Sequence, residues 1–378
     1  MNKKKLNILV TGCAGFIGSA ITKNLIKNNY TVFGIDNLST GKKENISKNI
    51  FFIKGNCENE KILKNFKNKK IDIIIHFAGQ SSGEISFYDP VKDFNSNVNS
   101  TIKLLNFATK KNIKHFIYAS SMSVYGNYSK IGVRENKKTD PINIYGMSKL
   151  SSENYIKIFK KKGLNYTILR LFNVYGPNQN MENKKQGMIS IYLDQIFKNK
   201  KLIIKGSTSR FRDFIYIDDV VNIVNKIINN KKVYNKTLNI GTGKKTSVLL
   251  LIKLLKKLVN FKFTLKIKKG TPLDQFGIYS NSNYMKKLLN YKIENNLSKG
   301  LKNFIHFTKN SYKILFLILT ISFIFPNISY AYFDPGTGSF ILQAILALFS
   351  TVVIYLGYPI RYLKKIIKKT KNFKRKED

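Results

Sequence analysis

Six short apolar runs, separated by stretches with helical spacing, constrain this chain more than any other feature. They are LNILV (6–10), YTVFGI (30–35), NIFFIKG (49–55), IDIIIHFAG (71–79), HFIYASS (115–121) and YTILRLFNV (166–174). A strand that is apolar along its whole length must be buried on both faces. Strands of that kind alternating with helices build a parallel sheet covered on both sides. After Val174 the alternation breaks down. A polar loop follows, then helical patterns at ISIYLDQIFKNK (189–200) and SVLLLIKLLKKLV (247–259). The expected organisation is α/β: a doubly wound parallel sheet over 1–174, then a smaller unit over 175–308 woven back into it. No internal repeat is visible.

Charge limits the partners. There are 66 Lys+Arg against 21 Asp+Glu, a formal net charge of +45. The lysines are spread along the chain among Asn and Ile, as in KNLIKNN and KNFKNKK, without an arginine-rich or aromatic-interleaved patch. That pattern argues for anionic small molecules or lipids, and against nucleic acid. Two cysteines, Cys13 and Cys57, and three histidines show no metal-ligand spacing, so no metal is expected.

VTGCAGFIGS follows the first strand and opens the first helix. Gly12, Gly15 and Gly18 remove side chains where a pyrophosphate must approach backbone, and the helix start supplies free N–H groups. Asp36 ends the second strand about 20 residues on, where a carboxylate can hold ribose hydroxyls. It would repel a 2′-phosphate, so NAD is expected rather than NADP, although Lys42 and Lys43 lie nearby.

YASSMSVYG (118–126) ends the fifth strand, on the ligand side of such a sheet. YGMSK then places Tyr145 and Lys149 at i and i+4, on one helix face. A tyrosine is a base at neutral pH only if its phenolate is favoured, and an ammonium one turn away together with the positive nicotinamide ring of the cofactor does that. Ser121 can donate to the same substrate oxygen. His76 reads as a packed core histidine at the crevice edge, beside Gln80.

Together, TGCAGFIGS, DNLSTG, HFAGQSS, YASSMSVYG, YGMSK, LRLFNVYGPNQ, RDFIYIDDVV and NIGTG resemble the extended short-chain dehydrogenases/reductases that act on nucleotide sugars, over about residues 6 to 307. The resemblance implies a Rossmann domain with NAD, a C-terminal substrate domain and a homodimer. It implies catalytic roles for Ser121, Tyr145 and Lys149. Cofactor contacts would come from Gly12, Gly15, Phe16, Ile17, Gly18, Asp36, Asn37, Asn56, Cys57, Phe77, Ala78 and Gly79, besides Tyr145 and Lys149. Asn173 and Arg212 would meet the substrate diphosphate, with Ser121 on the sugar; Asp213, Asp218 and Asp219 read as structural. Asn56 stands where the family often has Asp, and Lys268 or Lys269 near a frequent phosphate-binding Arg. Family members that resemble 4,6-dehydratases carry an Asp-Glu pair after the catalytic Ser/Thr. Met122 and Ser123 occupy those places, and neither is a carboxylic acid. That favours C4 epimerisation of a nucleotide sugar, UDP-linked by the look of DNLSTGKKENI. A 4-keto-sugar reductase, a dehydratase with a displaced acid and a non-catalytic NAD-binding scaffold stay open.

The composition changes after Phe307. From Ile314 to Ile360 the one charged residue is Asp334. Two membrane helices are expected at about 314–333 and 338–358, joined at DPGTG, with a basic cytoplasmic tail. The first has the look of a signal peptide ending at Ala331, where cleavage stays possible. YAYFDPGTGSFILQAILALF resembles short bacterial membrane proteins. The expectation is an enzyme held at the inner membrane, facing the cytoplasm, touching lipid through a C-terminal hairpin (309–378) and serving surface polysaccharide synthesis.

Overall fold

A computed structural model describes residues 6–128, 131–270 and 275–324. The chain divides into two units, Met1–Tyr312 and Lys313–Asp378. The first unit opens with β1 (Asn7–Thr11), α1 (Phe16–Lys27), β2 (Thr31–Asp36), β3 (Phe51–Lys54), α2 (Glu60–Lys64) and β4 (Ile73–His76). Then come α3 (Gly83–Tyr88), α4 (Pro90–Phe94), α5 (Ser100–Lys110), β5 (His115–Ser121), α6 (Ile144–Phe159) and β6 (Tyr166–Leu171). The smaller elements follow: β7 (Asn173–Tyr175), α7 (Met188–Asn199), β8 (Lys201–Lys205), β9 (Phe211–Arg212), β10 (Phe214–Tyr216) and α8 (Ile217–Ile228). Last are β11 (Lys236–Ile240), β12 (Thr246–Ser247), α9 (Val248–Leu258), β13 (Thr264–Lys268), α10 (Asn283–Leu289) and α11 (Leu297–Ile324).

Seven strands form one sheet in the order β11-β6-β5-β4-β1-β2-β3. Every pairing in it is parallel. The side chains explain why the strands are apolar throughout. Ile8, Val10, Ile73 and Ile75 pack on one face with Ile21 and Leu25 of α1 and Ile223 and Val224 of α8. The alternate residues Leu9, Ile74, Phe116 and Ile168 pack on the other with Leu104 and Leu105 of α5 and Ile156 of α6. Each such burial stabilises by roughly 1.5–3 kcal/mol, so neither face tolerates a polar run. The doubly wound fold expected from the sequence is therefore present. β11, from the later half of the chain, joins this sheet beside β6.

The strand order reverses between β1 and β4, and this opens a crevice at their carboxyl ends. The smaller region builds three two-stranded pairings, β10–β7, β12–β9 and β13–β8. Of the aspartates expected to be structural, Asp213 and Asp219 are buried and Asp218 is exposed on the first turn of α8. Asp213 accepts from Thr242 N, Gly243 N and Ser280 N, and Asp219 from Tyr291 OH and Glu294 N.

α11 runs through the compositional break after Phe307. Near its entry into the break, Tyr312 stacks on Phe197 of α7 with ring centroids 6.0 Å apart, and its hydroxyl donates to Asp194 at 2.9 Å. Asp194 is buried and also pairs with Lys184 and Lys198. Of the expected membrane segments, 314–333 is described only as far as Ile324, and 338–358 lies outside the described residues. Among the described residues no helix is long and apolar enough to cross a membrane.

Candidate active site

The first part of the site is the turn between β1 and α1. Gly12 has φ +73°, and a Cβ there would stand 2.7 Å from Ala78 N and 2.8 Å from Phe77 C. Only glycine lets β1 and the chain after β4 close on each other here. Gly18 is as tightly placed: its Cβ would meet Gly12 O at 2.0 Å. The first helical bond of α1 is Ser19 N to Gly15 O. Gly15 caps the helix without a side-chain bond, and no acid stands in the first turn. Ala14 O, the carbonyl preceding that cap, already accepts from Lys42 N at 3.2 Å and Asn45 Nδ2 at 3.0 Å. The amides of Phe16, Ile17 and Gly18 are thus left facing the crevice with the positive end of the helix behind them.

Asp36 is buried at the end of β2, its oxygens accepting from Ala14 N at 2.9 Å and Leu38 N at 2.8 Å. Each oxygen keeps a lone pair for a ribose hydroxyl. Asn37 donates to Asn56 Oδ1 at 2.7 Å, and Cys57 is buried beside them. Burial raises the thiols of Cys13 and Cys57, which keeps both unreactive. Open helix amides, a side-chain-free cradle and an acid at the second strand fit a dinucleotide.

The second part stands at the end of β5. Ser121 Oγ is 3.2 Å from Ser123 Oγ and accepts from Ser123 N, so a short 3₁₀ turn, Met122–Tyr125, fixes it. On α6, capped by Asn143, Lys149 Nζ lies 5.9 Å from the Tyr145 ring centroid and 4.9 Å from that of Tyr118. The helix face expected from the i, i+4 spacing is present. Burial pushes Tyr145 up to about 12; its bond to Ser121 pulls the other way, and the Asp93 carboxylate adds to the rise. Lys149 donates to Ala119 O at 3.0 Å, and burial draws its ammonium down to about 8. In this geometry Tyr145 is a neutral phenol. The ammonium alone does not offset the loss of water around it, so the phenolate needs a further positive charge in the crevice.

His76 is a core histidine, 2.7 Å from Thr11 Oγ1 and 3.2 Å from Thr101 Oγ1. Gln80 turns inward, to Ser82 O and Asp93 Oδ1. Asn173 lines a cavity of about 20 Å³ with Gln179, Gly187 and Met188. The side-chain oxygens of Asn173 and Gln179 are buried there without a hydrogen-bond partner, beside a space the size of a water molecule.

Arg212, expected at the substrate diphosphate, is buried and meets backbone carbonyls in this structure. Its Nη1 donates to Phe211 O and Phe276 O and its Nη2 to Gln275 O, at 2.7 to 3.1 Å. Those carbonyls take donors that a diphosphate would need. Lys268 and Lys269 are exposed, and Lys268 ends the edge strand β13. Sequence reasoning missed Asp93 and Asn97, buried between Gln80 and α6; no motif distinguishes an Asp or Asn within a helical stretch.

This crevice, glycine turn and Ser/Tyr/Lys arrangement define an NAD-binding enzyme of the extended short-chain dehydrogenase/reductase type. The chain belongs to the NAD dependent epimerase/dehydratase family, whose sequence model matches residues 8–241. A Methanocaldococcus jannaschii protein carrying a provisional UDP-glucose 4-epimerase name is 37% identical over 306 residues, 80% of this chain and 99% of that protein. The UDP-glucose 4-epimerase of Thermotoga maritima, solved with UDP-glucose, is 33% identical with a TM-score of 0.78, covering 81% of this chain and all (100%) of that one. The UDP-glucuronic acid 4-epimerase of Bacillus cereus, solved with UDP-glucuronic acid and NAD, is 30% identical with a TM-score of 0.75, over 81% and 100% of the two chains.

Proposed function

We propose that the protein epimerises C4 of a UDP-sugar through a 4-keto intermediate. The observation that carries this reading is the pair Met122–Ser123 beside Ser121 and Tyr145. The site holds the groups that move a proton on and off a hydroxyl, and no carboxylate where elimination needs one. NAD, when bound, would supply the acceptor for the C4 hydride, give the hydride back to the opposite face of the 4-keto sugar, and place positive charge near Tyr145. Tyr145 takes the C4 hydroxyl proton and returns it. Ser121 holds the same oxygen, and Lys149 fixes the field around both. Phe16, Ile17 and Gly18 meet the pyrophosphate through their amides, Asp36 the ribose, and Asn173 the substrate. The similarity to UDP-sugar 4-epimerases supports the nucleotide; UDP-glucose, UDP-glucuronic acid and UDP-N-acetylglucosamine are the sugars to try.

The test is conversion of each to its 4-epimer without added NAD, followed by product chromatography. Tyr145→Phe is expected to lose about 10²–10⁴-fold in kcat, and full activity in that variant overturns the mechanism. A product that has lost water would replace epimerisation by dehydration.

The tail supports a second part of the reading. A stretch with one charged residue between Ile314 and Ile360, followed by KKIIKKTKNFKRKED, suits an anchor that places the enzyme at the cytoplasmic face of the membrane, in surface glycan synthesis, as a homodimer. Full-length protein found wholly in the soluble fraction would refute the anchor, and a monomeric mass in detergent the dimer.

A further inference from the structure

We propose that Asp93 is a positioning residue of this reaction: its buried carboxylate is the counter-charge of the Lys149 ammonium. The inference rests on the epimerase reading of the site and adds to it a residue outside the Ser/Tyr/Lys set.

Asp93 lies in α4, and none of its surface is exposed. Its Oδ1 accepts from Gln80 Nε2 at 2.8 Å and Asn97 Nδ2 at 3.1 Å. Asn97 Nδ2 also donates to Gln80 O, which closes the network. Asp93 Oδ2 is buried without a hydrogen-bond partner, and the Ser148 hydroxyl helps to hold the carboxyl down against the upward push of burial. Asn97 Oδ1 is buried without a partner too. Gly79 brings this network to the lysine: a Cβ there would lie 2.4 Å from Asn97 Oδ1 and 3.5 Å from Lys149 Nζ. The network is fastened to α6, where Ser152 Oγ donates to Asn97 O at 3.1 Å and Tyr145 N donates to Ser86 Oγ of α3 at 3.1 Å.

A carboxylate buried with one oxygen open is costly unless a cation faces it. The charged and titratable groups acting on Lys149 or in contact with it are Tyr145 and Glu153 on its own helix, Tyr118 on β5, His76 on β4 and Asp93 on α4. Glu153 is committed to Arg170, at 2.9 and 2.7 Å, and to Ser120 Oγ at 2.6 Å. Burial keeps His76 neutral and the Tyr118 phenol protonated. Among the described residues Asp93 makes no direct ion pair, with Lys149 or with any other lysine or arginine, and its charge reaches Lys149 across the Asn97 amide. It is therefore the acid available to Lys149. Burial draws the ammonium toward losing its proton, and Asp93 is the largest opposing influence.

The sign follows directly. Removing the charge leaves burial to act with less opposition, so Lys149 gives up its proton at lower pH and stops supporting the Tyr145 phenolate; it also lifts the direct upward push of Asp93 on Tyr145, so the test reads the alkaline limb set by Lys149. The experiment is the pH profile of kcat for the full-length enzyme, Asp93→Asn, Asp93→Ser and Asp93→Glu, with melting temperature measured alongside. In Asp93→Asn the alkaline fall of kcat is expected about one pH unit or more below the wild-type position, with KM for the UDP-sugar little changed and the limb partly restored in Asp93→Glu. Asp93→Ser gives the same reading if the Asn variant does not fold. A lowered melting temperature with an unmoved limb would make Asp93 structural and overturn the proposal. If wild type reduces its bound cofactor with a UDP-sugar but yields no epimer, the epimerase reading fails and the limb is read from that half-reaction. A wild type inert in both overturns the two together.

Discussion

Mild acid should destabilise this protein through two buried histidines. His76 is 1% exposed and held between two threonine hydroxyls; His115 is 0% exposed, 2.8 Å from Thr167 Oγ1, with Nδ1 buried and unpartnered. Neither has an acid to welcome a proton, and burial lowers both to about 3. The unfolded chain takes up these protons near pH 6.5, the folded chain near 3. The stabilisation is complete above pH 6.5 and drains as pH falls below it. Each histidine costs ~1.4 kcal/mol per pH unit in that range, hence ~2 kcal/mol at pH 5, or ~4 kcal/mol for the pair. Against a total stability of about 5–15 kcal/mol this is a large share. Burial raises the carboxyls of Asp93 and Glu135, which act in the opposite sense. Asp72, which Lys114 and Asn7 N hold low against the upward push of burial, matters only below the usual carboxylate range. Replacing each histidine by Gln cancels these common contributions. The assay is the urea midpoint at pH 7.5, 6 and 5 for wild type, His76→Gln and His115→Gln. Each variant should lose roughly half of the pH dependence. Coincident wild-type midpoints from pH 7.5 to 5, or variants that keep the full slope, would refute the reasoning.

Two further outcomes follow from packing. Gly12→Ala should cost roughly 1–3 kcal/mol in stability, because its Cβ meets backbone at 2.7 Å, and it should purify without NAD, as read by cofactor absorbance after denaturation. Glu153→Gln leaves the Arg170 guanidinium buried without its carboxylate, and should lower unfolding free energy by about 3–5 kcal/mol in urea titration.

The parts of the fold that were readable from the chain are those fixed by local rules. HFIYASS is bounded as a strand by the same residues in sequence and structure, because an apolar run buried on both faces has no polar position at which to end early. The glycine turn was legible because backbone approach excludes every other residue type, and Tyr145 with Lys149 because helical spacing alone puts them on one face. The surroundings of Arg212 were not legible: an arginine in the sequence says nothing of the three carbonyls that fold toward it from residues 211, 275 and 276. Asp93 was invisible for the same reason. Its significance lies in Gln80 and Asn97 meeting it in space, and in water being excluded from Lys149. How deeply Tyr145 is buried, and hence how much the phenolate depends on the cofactor's charge, is something that sequence spacing does not report.

The contact of Tyr312 with α7 has a mechanical consequence. A pull applied through the residues after Tyr312 enters the folded unit at Asp194 and Phe197, not at the seven-stranded sheet. Asp194 also holds Lys184, in the loop whose Lys185 carbonyl receives the Ser82 hydroxyl at 3.0 Å. Tension on the tail is thus delivered first to the loop beside the cavity lined by Asn173 and Gln179.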